Sequence, residues 1–91
     1  MDDLRGALGL RIKELRERQG LSQEQLAERA DLHVTYISGI ERGQRNPGLN
    51  ILASLAKALK TSLPALVADL RPNVKVKVRD RGRPPNRVRR S

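Results

Sequence analysis

Residues 21–43 read LSQEQLAERADLHVTYISGIERG, and this segment carries the clearest structural pattern of the chain. Ser22 stands three residues before Gln25, which is the capping-box pattern found at the start of a helix. The apolar residues that follow recur at the spacing of one helix face. We therefore predict a short helix over about 23–30.

A short break and a second helix follow. The break is Asp31-Leu32-His33, after which apolar residues return at helical spacing from Val34 to Arg42. Gly43 then suits the C-terminal cap of that helix. The small Ala27 stands where the two backbones would approach closely. Two short helices joined by a three-residue break are what a helix-turn-helix requires.

The same kind of spacing predicts three more helices around this pair. The first covers about 7–19 and the fourth about 49–59. Ser62 suits the N-cap of a fifth helix, in which Pro64 occupies the first turn, where its missing N–H costs nothing. The sequence therefore predicts an all-α domain of five helices over residues 1–70.

The composition excludes several classes of protein. A chain of 91 residues allows one small domain. With no Cys and with His33 as its one histidine, it cannot assemble a zinc site or a set of nucleophile, base and orienting group. We therefore expect no enzyme, no metal and no cofactor. No basic flank leads into an apolar run, so we expect neither a secretion signal nor a membrane contact, and a cytoplasmic location.

The positive charge is concentrated at the C-terminal end. Residues 1–70 contain ten Lys or Arg against nine Asp or Glu, a net charge of +1. Residues 71–91 contain nine against one, a net charge of +8. A near-neutral domain followed by a basic tail suggests a polyanionic partner, most simply nucleic acid. The alternative interpretation is a tail that only increases solubility.

The segments LSQEQLA at 21–27 and TYISGIERG at 35–43, followed by Asn46-Pro47, resemble the phage Cro and repressor family, also called the XRE family. The resemblance runs from about Leu8 to Leu66. It implies a lambda-repressor-like fold in which the third helix enters the major groove of double-stranded DNA and the second crosses the phosphates. One departure is Asp31, where the family turn usually carries Gly; Asp tolerates the left-handed conformation better than most residues.

The resemblance also implies roles for individual residues. Phosphate contacts fall to Gln23, Tyr36, Arg42, Arg45 and Asn46. The outward face near the start of the third helix leaves base reading to His33, Val34, Thr35 and Ser38. None of these four is a Gln, Asn or Arg, the side chains that read adenine or guanine with two hydrogen bonds. Gly39 occupies a position that often carries a reading side chain, so we expect modest base discrimination, supplemented by DNA shape and dimer spacing.

Arg16 and Glu41 match a family pair that forms a salt bridge between the first helix and the end of the third. We expect this pair to be structural, because removing one partner of a buried ion pair leaves the other charge uncompensated. The alternative is that both side chains are exposed to solvent.

The tail contains a second, shorter resemblance. Arg81-Gly82-Arg83-Pro84 is similar to the core of an AT-hook, which lies in the narrow minor groove of A·T-rich DNA. The alternative is a disordered basic arm, and both interpretations predict affinity for the DNA backbone. The residues expected to contact DNA are Arg79, Arg81, Gly82, Arg83, Arg87, Arg89 and Arg90.

Two apolar surfaces could join two copies of the chain. One is the fifth helix, which carries more apolar surface than so short an element can bury alone, in Leu63, Leu66, Val67 and Leu70. The other is a short strand over 74–78, where Val alternates with basic residues and which could pair with its counterpart in a second copy. The strand interpretation competes with a disordered linker.

These observations predict a sequence-specific DNA-binding regulator, a repressor that binds a pseudo-palindromic operator as a homodimer. Its half-sites would lie about 34–36 Å apart. One alternative is an antitoxin that also binds a toxin protein. Another is a nucleoid-associated or mobile-element architectural protein of low specificity. No small-molecule substrate is evident in the sequence.

Overall fold

A computed structural model describes residues 4–72 of the chain. This part is all-helical and contains five helices, as predicted. The helices are α1 (Arg5–Arg18), α2 (Gln23–Ala30), α3 (Val34–Glu41), α4 (Leu49–Ala58) and α5 (Leu63–Val67). The strand predicted over 74–78 lies outside the described residues.

The cap of α2 confirms the capping box read from the sequence. Ser22 Oγ accepts the Gln25 backbone N–H at 3.0 Å, and the Ser22 N–H donates to Gln25 Oε1 at 2.8 Å. Ser22 has extended backbone angles, which let the chain turn into the helix at this residue. The start of α2 is therefore fixed by two reciprocal hydrogen bonds.

The turn between α2 and α3 is built on Asp31. This residue adopts the left-handed conformation, with φ 58° and ψ 47°. The Leu32 N–H donates to the Ala27 carbonyl at 2.9 Å, which closes the end of α2. The expectation that Asp31 accommodates the left-handed conformation of this turn is confirmed.

The core lies where α3 packs against α1 and α2, where α2 packs against α4, and where α5 packs against α4 and α1. Its fully buried side chains are all aliphatic, as expected for a chain with a single aromatic residue. They are Ile12, Leu26, Ile37, Ile40, Leu55, Leu59 and Leu66. Burial of each side chain of this size stabilises the fold by about 1.5–3 kcal/mol. The core thereby fixes α3 from behind and leaves its outer face to solvent.

The dimer surface predicted on the fifth helix is partly wrong. Leu66 is fully buried in the core, so it cannot belong to an interface between copies. The helix ends at Val67, so Leu70 lies beyond it in the following turn. Part of the apolar surplus assigned to α5 is thus used inside the domain.

The crossing of α1 over α3 depends on Gly9. A Cβ atom at this position would lie 2.7 Å from the Glu41 carbonyl oxygen and closer still to that of Ile40. Both obstacles are backbone atoms, which cannot rotate away as a flexible side chain can. Only glycine allows the two helices to approach this closely.

We expect Gly9→Ala to lower the free energy of unfolding by about 1–3 kcal/mol, the usual range for overpacking. At an exposed helical position the same change would raise it by up to about 1 kcal/mol, so the sign is diagnostic. Urea denaturation followed by circular dichroism measures it. Gly48→Ser is the matched control, because a Cβ at Gly48 meets no atom within 4 Å. A stabilised Gly9→Ala variant would contradict the close crossing.

Candidate nucleic-acid interface

The outward face of α3 carries the side chains predicted to read bases. His33 at the N-cap, Val34 and Thr35 are exposed, and Ser38 is half-buried. The opposite face of the helix is occupied by buried Ile37 and Ile40. Four short or medium side chains are thus accessible at the start of the helix, as the sequence indicated.

Gly39 lies on the same outward face, yet it is buried. A Cβ here would stand 2.8 Å from Arg45 Cγ and 3.2 Å from Arg45 Nε. The Arg45 side chain, supplied by the loop after α3, therefore lies along the helix in the space that a side chain at position 39 would occupy. Its guanidinium carbon is 5.7 Å from the centre of the Tyr36 ring, within cation–π range.

This arrangement was not predicted from the sequence, which indicates only that Arg45 lies in a loop and that α3 itself carries no Gln, Asn or Arg. The available signal was a glycine on the outward face of the helix with an arginine six residues later. That spacing alone does not predict that the loop folds back and places Arg45 over α3.

A second cation borders this face. Arg42 Nη1 donates to Ser38 Oγ at 2.5 Å, and Arg42 Nη2 donates to Gln44 Oε1 at 3.1 Å. Ser38 Oγ is the acceptor in this contact, which leaves its hydroxyl hydrogen able to donate elsewhere. Asn46 is exposed in the same loop. The loop and the end of α3 thus form a polar, positively charged rim.

Behind the interface, Arg16 and Glu41 form a bidentate ion pair. Arg16 Nε lies 2.7 Å from Glu41 Oε2, and Arg16 Nη2 lies 3.0 Å from Glu41 Oε1. The exposed fractions of the two side chains are 11% and 3%, which excludes the exposed alternative. The hydrogen bond to Glu41 raises the pKa of Arg16 above its ordinary value. Arg16 Nη1 also donates to the Leu21 carbonyl at 2.7 Å.

Gln23 is connected to this ion pair. Its Nε2 donates to Glu41 Oε1 at 2.9 Å, and the side chain is half-buried. One amide hydrogen of the predicted phosphate contact is therefore used within the protein. The bond fixes the orientation of Gln23 at the start of α2.

Two other kinds of site are not supported by residues 4–72. No group of three His, Cys, Asp or Glu side chains in this range could hold a metal ion. No helix in the same range is long and apolar enough to cross a membrane. The predicted tail contacts, from Arg79 to Arg90, lie outside the described residues.

Comparison with known proteins identifies the domain. The sequence profile of the family HTH_3, described as helix-turn-helix, matches residues 12–66, which is more than half of the chain. The chain belongs to this helix-turn-helix family. The resemblance to Cro and phage repressors is thereby confirmed, and α2 and α3 are the two helices of the motif.

Named relatives of this helix-turn-helix protein are regulators. It is similar to the control protein C.SmaI of Serratia marcescens, with 48% identity over 65 residues that cover 71% of this chain and 77% of the relative. It is also similar to the immunity repressor protein of Bacillus phage phi105, with 42% identity over 62 residues. That match covers 68% of this chain and 43% of the repressor.

A solved structure agrees with the family. The restriction-modification controller protein C.AhdI from Aeromonas hydrophila superposes with a TM-score of 0.66 and 44% identity. The match covers 67% of this chain and 92% of the controller. The helix-turn-helix protein described here is therefore of the DNA-binding, transcription-regulating type.

We expect Arg16→Met to lower the free energy of unfolding by about 3–5 kcal/mol, because it leaves the Glu41 carboxylate buried and uncompensated. The double variant Arg16→Met/Glu41→Leu should lose less free energy of unfolding than the single variant, since no buried charge remains. Urea denaturation of both variants measures the difference. Arg18→Met, which removes an exposed cation from the same helix, is the control and should change stability by no more than about 0.5 kcal/mol. Equal losses in Arg16→Met and Arg18→Met would contradict a structural ion pair.

Proposed function

We propose that this protein is a sequence-specific transcriptional repressor that binds a pseudo-palindromic operator as a homodimer, with α3 in the major groove. The observation that carries the proposal is the Arg45 side chain lying over Gly39 on the outward face of α3. It adds a long donor side chain to an outward helix face whose own donors, Thr35 and Ser38, are short.

Arg45 is proposed to read a base edge rather than a phosphate. A guanidinium can donate two hydrogen bonds to the O6 and N7 atoms of guanine, the commonest specific contact in the major groove. The contact with the Tyr36 ring restricts the conformations of Arg45 and orders it before DNA binds. Thr35 supplies a methyl group and a hydroxyl beside it, which suit a thymine methyl and an acceptor on a base edge.

Phosphate binding is proposed for the N-terminal end of α2 and for the loop after α3. Gln23, oriented by Glu41, can donate its second amide hydrogen to a phosphate oxygen. Arg42 and Asn46 extend the same polar rim.

Self-association is proposed through an open apolar groove of about 810 Å³ between the start of α1, α4 and the end of α5. We call it the association groove, and its apolar lining consists of Leu4, Leu8, Pro47, Leu52, Val67 and Leu70. Leu4 and Val67 are 46% and 37% exposed in the single chain. A two-fold axis would place the same groove on both copies and would bury these side chains. Leu63 is half-buried outside the groove.

Repression is supported by the phage immunity repressor among the relatives. The controller proteins among the relatives favour a second candidate, a regulator of restriction-modification genes. Genome-wide mapping of binding sites distinguishes them, because a controller would occupy the promoter of restriction or modification genes. No observation on the described residues favours a toxin partner.

The tail, residues 71–91, is proposed to add affinity without setting the operator sequence. Its nine cations would neutralise DNA phosphates and release counterions. Arg81, Gly82 and Arg83 would follow a narrow minor groove if the operator is flanked by A·T-rich DNA.

We expect Thr35→Ala and Arg45→Ala to lower the ratio of operator to random-DNA affinity by about 5- to 150-fold, since each removes base contacts of about 1–3 kcal/mol. Gln23→Ala should weaken both affinities similarly. Gly39→Ala should resemble Arg45→Ala, and combining the two should add little, because the new Cβ already displaces the arginine. Binding isotherms on an operator selected from random DNA measure this, with Arg18→Ala as control. An Arg45→Ala variant that loses affinity equally on both DNAs would reduce Arg45 to a phosphate contact.

A chain ending at Pro72 should bind DNA with a shallower dependence on salt. Each neutralised phosphate contributes about −0.9 to the slope of log K against log salt, so the loss of four tail contacts changes it by roughly 3 to 4 units. An unchanged salt slope would mean that the tail does not contact DNA.

The same truncated chain tests the dimer interface. Sedimentation should find it still dimeric if the association groove carries the interface. A monomeric truncated chain beside a dimeric full chain would assign the interface to residues 74–78.

A further inference from the structure

Helix α5 forms one wall of the association groove, although it is too short to be stable alone. Helices of a single turn gain almost nothing from their own hydrogen bonds, so their position is set by tertiary contacts. Leu66 anchors α5 through its full burial in the core. Leu70, in the turn after the helix, also packs against the core, and a further contact holds the backbone between these two residues.

The C-terminal end of α5 is contacted by Arg11 of α1. Arg11 Nη1 lies within hydrogen-bond distance of the Ala65 and Leu66 carbonyl oxygens, at 3.3 and 3.2 Å. Arg11 Nη2 donates to the Ala68 carbonyl oxygen at 2.9 Å. These carbonyls belong to the C-terminal end of α5, where helix carbonyls lack partners within the helix. One guanidinium therefore holds the end of α5 from two directions.

Arg11 also connects the two walls of the groove. Val67 and Leu70 flank the carbonyls that it holds, and they form the α5 side. Leu8, three residues before Arg11 on α1, lines the opposite side. A side chain that starts on α1 and ends on the backbone of α5 thus spans the two walls.

We propose that Arg11 is the positioning residue of the self-association surface: it holds the α5 wall at the spacing that a second copy fits. The inference rests on the proposed dimer through the association groove. A lysine cannot replace it fully, because a single ammonium group lacks the planar fork that reaches three carbonyls on two sides.

The test compares self-association of four full-length chains by sedimentation equilibrium: wild type, Arg11→Met, Arg11→Lys and Arg18→Met. Methionine keeps most of the aliphatic stem and removes the donors. Arg18→Met removes an exposed cation from the same helix and is the matched control. We expect Arg11→Met to raise the dimer dissociation constant at least about tenfold. Arg11→Lys should raise it by a smaller factor, and Arg18→Met should leave it at the wild-type value.

A second measurement separates positioning from general stability. DNA carrying a single half-site should bind Arg11→Met as it binds wild type, whereas affinity for the paired half-sites should fall with the dimer constant. If Arg11→Met does not fold, Arg11→Lys decides the question through the same two measurements. Equal dimer constants in the Arg11 variants and in Arg18→Met would overturn the positioning role while leaving the proposed dimer intact. A wild-type chain that remains monomeric would instead overturn the association groove itself.

Discussion

The hydrogen bonds to the buried carboxylate of Glu41 are the interaction on which the helix-turn-helix of this domain depends. The carboxylate lies at the end of α3 and accepts hydrogen bonds from Arg16 on α1 and Gln23 on α2. Arg16 in turn holds the Leu21 carbonyl in front of α2. Both helices of the motif are thereby connected to Arg16 of α1 by hydrogen bonds. Since desolvation offsets much of the attraction in a buried ion pair, we interpret its main effect as orientation rather than net stability.

Gly9 provides the complementary constraint. It brings the backbone of α1 against the carbonyls of Ile40 and Glu41, so the helix that carries Arg16 is already close to the end of α3. A bulkier residue would move α1 outward and lengthen the Arg16–Glu41 hydrogen bonds. Packing thus sets the distance over which the ion pair acts, and the ion pair sets the rotation of the helices about that contact.

Much of the fold could be predicted from the sequence because its signals are local. The capping box of Ser22 and Gln25 and the left-handed turn at Asp31 each depend on residues within a few positions of one another. The Arg16–Glu41 pair was predicted only through family resemblance, because its partners are 25 residues apart. The same distance in sequence hid the Arg11 contacts, which reach Ala68 across 57 positions.

The burial of Leu66 in α5 shows why burial could not be predicted from the spacing of apolar residues. An apolar stripe has the same spacing whether it faces the core or a second copy, so Leu66 and Val67 looked equivalent in the sequence. In the fold, Leu66 fills the core, and Val67 remains exposed on the rim of the association groove. The surface that two copies would share is therefore a groove between three helices rather than one face of α5.

The short side chains of α3 and the association groove are physically related. Small residues on α3 leave room for Arg45, so each half-site of the proposed operator would offer few strong base contacts of about 1–3 kcal/mol each. In the proposed dimer, a second copy would double those contacts and add a fixed spacing between half-sites, which random DNA satisfies rarely. Specificity would then depend on how rigidly the two copies are held. A side chain that orders α5, far from any base, would thereby bear on which DNA is bound.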